Sequence, residues 1–174
     1  SKEGFDSPWD RQIFMKLLRC GELNKEKPAV MDNAGIIRDI SSIVNDFDPK
    51  NISENLIKKI NETAINKLPE IKKNTRVGAC ISNPQKFIGI GLNYADHAKE
   101  QNLPEPKEPI IFFKASSCIC GPHDEIYIPK NSEKTDWEVE LGFVVSKKTK
   151  NIEKEESLDH ILGFFLVTDF SERD

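Results

Sequence analysis

The segment Asp136-Trp137-Glu138-Val139-Glu140 sets three carboxylates at alternate positions. Successive side chains of a strand point to opposite faces, so these three share one face while Trp137, Val139 and Leu141 share the other. The run continues into Gly142-Phe143-Val144-Val145, which reads as strand interior on both faces. A carboxylate cluster leading into an interior strand needs protons or a cation to offset repulsion and desolvation. On the E-x-E spacing alone, an ordinary solvated strand face is the alternative. Asp169, after the apolar run Phe164 to Val167, can add a further oxygen ligand from a neighbouring strand. Carboxylates with no Cys or His ligand nearby favour Mg²⁺, Mn²⁺ or Ca²⁺ over zinc.

His97 and Glu100 stand three apart on a segment of helical composition, hence on one helical face. A carboxylate bonded to an imidazole fixes its tautomer and raises its basicity, which is what a general base requires; a surface His-Glu pair is the alternative. Lys114, after Ile110 to Phe113, is either a cation at the end of a strand, suited to a carboxylate or oxyanion, or a snorkelling lysine. Arg173, four residues after Asp169, offers either a bidentate carboxylate clamp or a solvated guanidinium. His123 and His160 read as surface or capping residues. Gly89-x-Gly91 lacks the third glycine and the downstream acid of a dinucleotide fingerprint.

The elements that must position these groups follow from patterning. Met15 to about Val44 alternates short apolar clusters with turn residues and predicts a small β meander. Ser53 can cap a short amphipathic helix through Leu56, Ile57, Ile60 and Ala64, ending before Pro69. A boundary falls near residues 75–84. Beyond it the sequence predicts a strand at Phe87 to Leu92, a helix at Tyr94 to Gln101, a Pro-rich loop and a strand ending at Phe113-Lys114. Asp136 to Ser146 is the clearest strand, followed by a helix at Glu153 to Leu162 and a last strand at Gly163 to Phe170. The fold class is mixed α/β, mostly β. The domain expectation is an extension at 1–14, a small N-terminal domain at 15–80 and the first part of a catalytic domain at 84–174.

Composition narrows the class. Over 174 residues, 37% are hydrophobic and 31% charged, enough for a real core under a wet surface. Twenty-five basic against 29 acidic residues give a net charge of −4, with no footprint for nucleic acid. The lysine clusters are interspersed with acids and read as solubility. The longest apolar stretch, Ile161 to Val167, is far short of the ~20 residues of a membrane span. Cys20, Cys80, Cys118 and Cys120 fit neither a zinc spacing nor a disulfide framework, so buried free thiols are expected. Residues 1–14 lack a secretory h-region, and a reducing cytoplasm fits.

Four ordered segments, GLNYADHAKE (91–100), EPIIFFKASSCICGP (108–122), SEKTDWEVELGFVV (132–145) and GFFLVTDFSERD (163–174), together resemble the fumarylacetoacetate hydrolase family. The resemblance is strong over 84–174, and residues 15–80 more weakly resemble the small N-terminal domain of its bacterial members. It implies a β-rich, usually dimeric catalytic fold in which Mg²⁺ or a related ion holds a 2-oxo or 1,3-diketo acid. By the same resemblance Glu138, Glu140 and Asp169 are the metal ligands, and His97, oriented by Glu100 in a mobile lid, activates water or moves a proton. Lys114 and Arg173 lie near the substrate. Hydrolysis, decarboxylation and isomerisation share an enolate in such chemistry, so the family does not fix the reaction. Larger members carry an additional aspartate ligand shortly before the histidine; Ile90 stands at that place here, as in the smaller bacterial enzymes. The family domain is expected to run on for roughly another hundred residues beyond Asp174. A fragment that self-associates or seeks a partner through open strand edges is therefore the second reading.

Overall fold

The computed structural model describes residues 15–173. The expected extension at 1–14 lies outside them. The chain builds a mostly β structure with short helices, in three separate antiparallel sheets. The first is the meander β1 (Lys16–Cys20), β2 (Lys27–Met31) and β3 (Ile37–Asp39). Against it packs α1 (Glu54–Asn61). The Leu56 amide donates to Ser53 Oγ at 3.3 Å, satisfying one of the helix's orphan donors, with Glu54 in the first turn and Lys58 and Lys59 in the last. The spacing of Leu56 and Ile60 turns both onto Val30, Ile40, Val44 and Phe47, and this is the main hydrophobic cluster.

Beyond that core lie two ribbons. β4 (Ile88–Gly91) pairs with β5 (Ile110–Phe113), and β6 (Thr135–Val145) pairs with β7 (Ile161–Glu172). Between β4 and β5 sits α2 (Ala95–Glu100). It ends in a Schellman arrangement: Asn102 takes a positive φ of 55°, its amide donates to the Lys99 carbonyl at 3.0 Å, and the Leu103 amide donates to the Ala98 carbonyl at 2.9 Å. Arg76 ties the parts together. Its guanidinium forms a two-point pair with Asp124 and donates to Glu26 Oε1 at 2.7 Å.

Three expectations need correction. The expected helix forms at Lys154–His160 as a 3-10 helix, nearly all of whose side chains face solvent, but it stops short of Leu162 because β7 already begins at Ile161, before the expected Gly163. Gly142 to Val145 is not interior on both faces, because Phe143 and Val145 are exposed. Burial of the thiols holds for Cys20; Cys80 is half-buried, and Cys118 and Cys120 are exposed. All four are free.

The β6–β7 ribbon inverts the usual distribution of polarity. Its carboxylate face is the half-covered one, closed further along by the Phe165 ring lying directly over Gly142, where a Cβ would collide with it. Its other face presents Trp137, Val139, Leu141, Phe143, Phe164, Leu166 and Phe170, all exposed, with Leu166 at 80%.

Candidate active site

Register assembles the carboxylates. On the β6–β7 ladder Glu138 stands directly opposite Asp169 and Glu140 opposite Val167, so Glu138, Glu140 and Asp169 share one face. Both side chains of the Glu138–Asp169 pair are mostly covered, 24% and 16% exposed. The three acids sense one another. The Glu140 carboxyl is pushed above the ordinary value, first by partial burial and then by the negative charges of Glu138 and Asp169, against a hydrogen bond from Tyr94 and the nearby His97. Mutual repulsion among half-buried carboxylates is the condition that a bound cation relieves.

Cationic side chains are set against the same carboxylates. Lys114, carried by the end of β5 where its amide donates to the Phe87 carbonyl at 2.9 Å, pairs with Asp169. Arg173 pairs with Glu138 and, at 3.1 Å, with Asp136. The Asp136 carboxyl is held below the ordinary value, first by the Trp137 amide and then by Arg173. With the ammonium and guanidinium groups so placed, no three His, Cys, Asp or Glu side chains among the described residues converge closely enough to grip a metal ion. The chemistry of the donor set nonetheless suits a hard divalent ion: three carboxylates on one strand-pair face, two of them in register, and the third raised first by burial and then by its neighbours' charge.

His97 approaches from α2. Its Nε2 lies 4.0 Å from Glu138 Oε1 and 2.6 Å from Gln101 Nε2. The Gln101 amide thus holds the ring from one turn further along the helix. The side-chain partner shown for the ring is therefore Gln101, four residues on, rather than the expected Glu100, which is exposed. Glu138 already sets one carboxylate beside the ring, and a neutral amide adds no further like-charge repulsion. The i,i+4 spacing of His97 and Gln101 was as visible in the sequence as the i,i+3 spacing of His97 and Glu100.

The sequence reading passed over Tyr94 as a site residue and placed Asp136 on the carboxylate face without a partner. Tyr94 Oη accepts from the Leu141 amide at 3.3 Å and hydrogen-bonds Glu140. His160 serves structure: its carbonyl accepts from the Ser146 amide at 2.8 Å.

A carboxylate-faced β ribbon thus has a histidine and a lysine brought in from neighbouring elements. Residues 86–174 match the model of the fumarylacetoacetate (FAA) hydrolase C-terminal family. The chain belongs to the fumarylacetoacetate hydrolase family. It is 48% identical over 160 residues to a protein of Burkholderia orbicola named "Putative hydrolase", covering 92% of this chain and 57% of that one. Among solved structures it is similar to a fumarylacetoacetate hydrolase from Exiguobacterium antarcticum, with a TM-score of 0.69, 25% identity, and coverage of 92% of this chain and 57% of that chain. The fold is likewise that of a structure called a "probable 2-hydroxyhepta-2,4-diene-1,7-dioate isomerase" from Mycobacterium abscessus, with a TM-score of 0.67, 24% identity, and coverage of 91% and 54%. The chain thus spans just over half the length of the relatives it matches.

Proposed function

We propose that this chain carries the site of a divalent-metal-dependent enzyme acting on 2-oxo or 1,3-diketo acids. The reaction proposed is hydrolysis of a C–C bond in an acylpyruvate or diketo-deoxy-sugar acid. Decarboxylation of an oxaloacetate-type acid and isomerisation of an oxo-diene acid are the alternatives within the family. The observation that supports the reading is the register of Glu138 against Asp169, with Glu140 on the same face and His97 4.0 Å from Glu138.

Glu138, Glu140 and Asp169 would hold Mg²⁺, Mn²⁺ or Ca²⁺, which when bound supplies positive charge for the oxygens of the substrate. His97 would take a proton from water or substrate; once protonated it faces Glu138, whose charge steadies the imidazolium. Gln101, 2.6 Å from Nε2, would orient the ring between turnovers. Lys114 and Arg173 attract the substrate carboxylate. Glu100, exposed on the same helix, would orient the histidine when α2 closes on substrate. The enzyme would act as a cytoplasmic homodimer.

The test is turnover and product analysis with Mg²⁺ or Mn²⁺ on an acylpyruvate and on oxaloacetate. A carboxylic acid plus pyruvate from the acylpyruvate supports C–C hydrolysis. Carbon dioxide from oxaloacetate alone selects the decarboxylase, and no conversion of either with metal bound overturns both.

A second reading has its own observation. The exposed apolar face of β6–β7 is continuous from Trp137 to Phe164, and a surface of that kind favours self-association or a partner chain over water. A monomeric, fully active chain contradicts it.

A further inference from the structure

We propose that Tyr94 is a positioning residue that latches helix α2, and with it His97, onto strand β6 beside the carboxylate ladder. Its part in the reaction rests on the reading given above; the latch itself does not.

The residue works at both ends. Its backbone begins the helix: the Ala98 amide donates to the Tyr94 carbonyl at 3.2 Å. N-terminal positions of this kind favour Ser, Thr, Asp or Asn, whose side chains cap the orphan amides, yet the Tyr94 side chain makes no such cap. It reaches instead to β6, where Oη accepts from the Leu141 amide at 3.3 Å. Leu141 turns its side chain to the outer apolar face, so its amide lies in the plane of the sheet. One hydroxyl thus satisfies a strand amide and ties the start of α2 to β6.

Helix α2 needs such a fastening. It has six residues, too few to be stable alone, and Ala98 is its only fully buried side chain. His97 lies one turn from Tyr94, so a helix that swings about its start carries the imidazole away from Glu138. A tyrosine three residues before the histidine therefore sets the distance between the proton-moving group and the acids, without touching substrate.

The experiment is Tyr94→Phe, which keeps the ring and removes only the hydroxyl. Amide hydrogen exchange over residues 95–103 and at Leu141 is compared with the unmodified chain, with circular dichroism to confirm that the fold is kept. The latch predicts exchange about fivefold faster at both places, the scale of one net hydrogen bond, and unchanged exchange over β1 and β2. In the turnover assay it predicts a fall in kcat with KM held within twofold, and no recovery of kcat by Tyr94→Trp. Exchange within twofold of the unmodified chain at 95–103 overturns the latch. Exchange altered as predicted with no turnover in either protein upholds the latch and sinks the enzymatic reading. Should Tyr94→Phe unfold the chain, Leu141→Pro, which deletes the donor at that amide, gives the same readout at 95–103: faster exchange there supports the latch and unchanged exchange overturns it.

Discussion

Replacing Asp169 by Asn removes one negative charge from the carboxylate face while keeping side-chain volume. Asp169 stands opposite Glu138 across the ladder, and both are mostly covered, so an effective dielectric near 20 is the relevant one. At that value a pair of unit charges about 4 Å apart interacts by about 4 kcal/mol before the cost of stripping water from the ion. Allowing half of that for desolvation leaves about 2 kcal/mol, or a loss of about 30-fold in affinity for a divalent ion. Lys114 gives the opposite sign. Its ammonium pairs with Asp169, so Lys114→Met frees that carboxylate and should tighten the same ion severalfold. The assay is calorimetric titration of Mn²⁺ into each variant at neutral pH and fixed ionic strength. Affinities of Asp169→Asn and the unmodified chain within threefold of each other would refute the assignment of Asp169 as a ligand.

The raised Glu140 carboxyl makes ion binding a competition with a proton: affinity should climb about tenfold per pH unit from acid toward that raised value and then level off. Isothermal titrations at a series of pH values check it, and a flat profile contradicts it. The same group reverses the usual sign for folding, because between the ordinary carboxylate value and the raised one the native chain keeps a proton that the unfolded chain has lost. Stability contributed there falls as pH rises. Asp46 and Glu26 behave oppositely. Burial alone would raise both, but hydrogen bonds and charge from Arg19 and Arg76 outweigh it and hold both below the ordinary value; their stabilisation is present above that value and lost as pH falls through the lowered one. Arg19→Met leaves Asp46, bonded at 2.6 Å, without its counter-charge, while Glu26 keeps Arg76 at 2.7 Å, and should cost about 3 kcal/mol in urea melts. On the outer ribbon face, Leu166→Lys combined with Trp137→Lys should reduce binding of an apolar dye and lower the association state in sedimentation, while circular dichroism stays unchanged.

Much of this site was legible because strand alternation is a local property. The acids at 136, 138 and 140 declared a shared face, and that face contains Asp169 once β7 is paired. The meander and the Ser53-capped helix were equally local. What failed to show depends on distance. The sequence cannot say which face of β6 is covered, since an apolar outer face reads as core until its neighbours are placed. Arg19 meets Asp46 and Arg76 meets Asp124 across 27 and 48 residues, and nothing at either position hints at the partner. Gln101 was hidden for a different reason: an amide beside a histidine carries no charge signal, so the nearby glutamate drew the reading.

The most direct test of the central claim is an electron paramagnetic resonance titration of Mn²⁺ into the unmodified chain, alone and with an acylpyruvate. The three-carboxylate site predicts one saturable ion per chain, whose signal changes when the acid is added and is lost in the Glu138→Gln, Asp169→Asn double variant. An unsaturable titration, or a saturable one identical in the double variant, would contradict it.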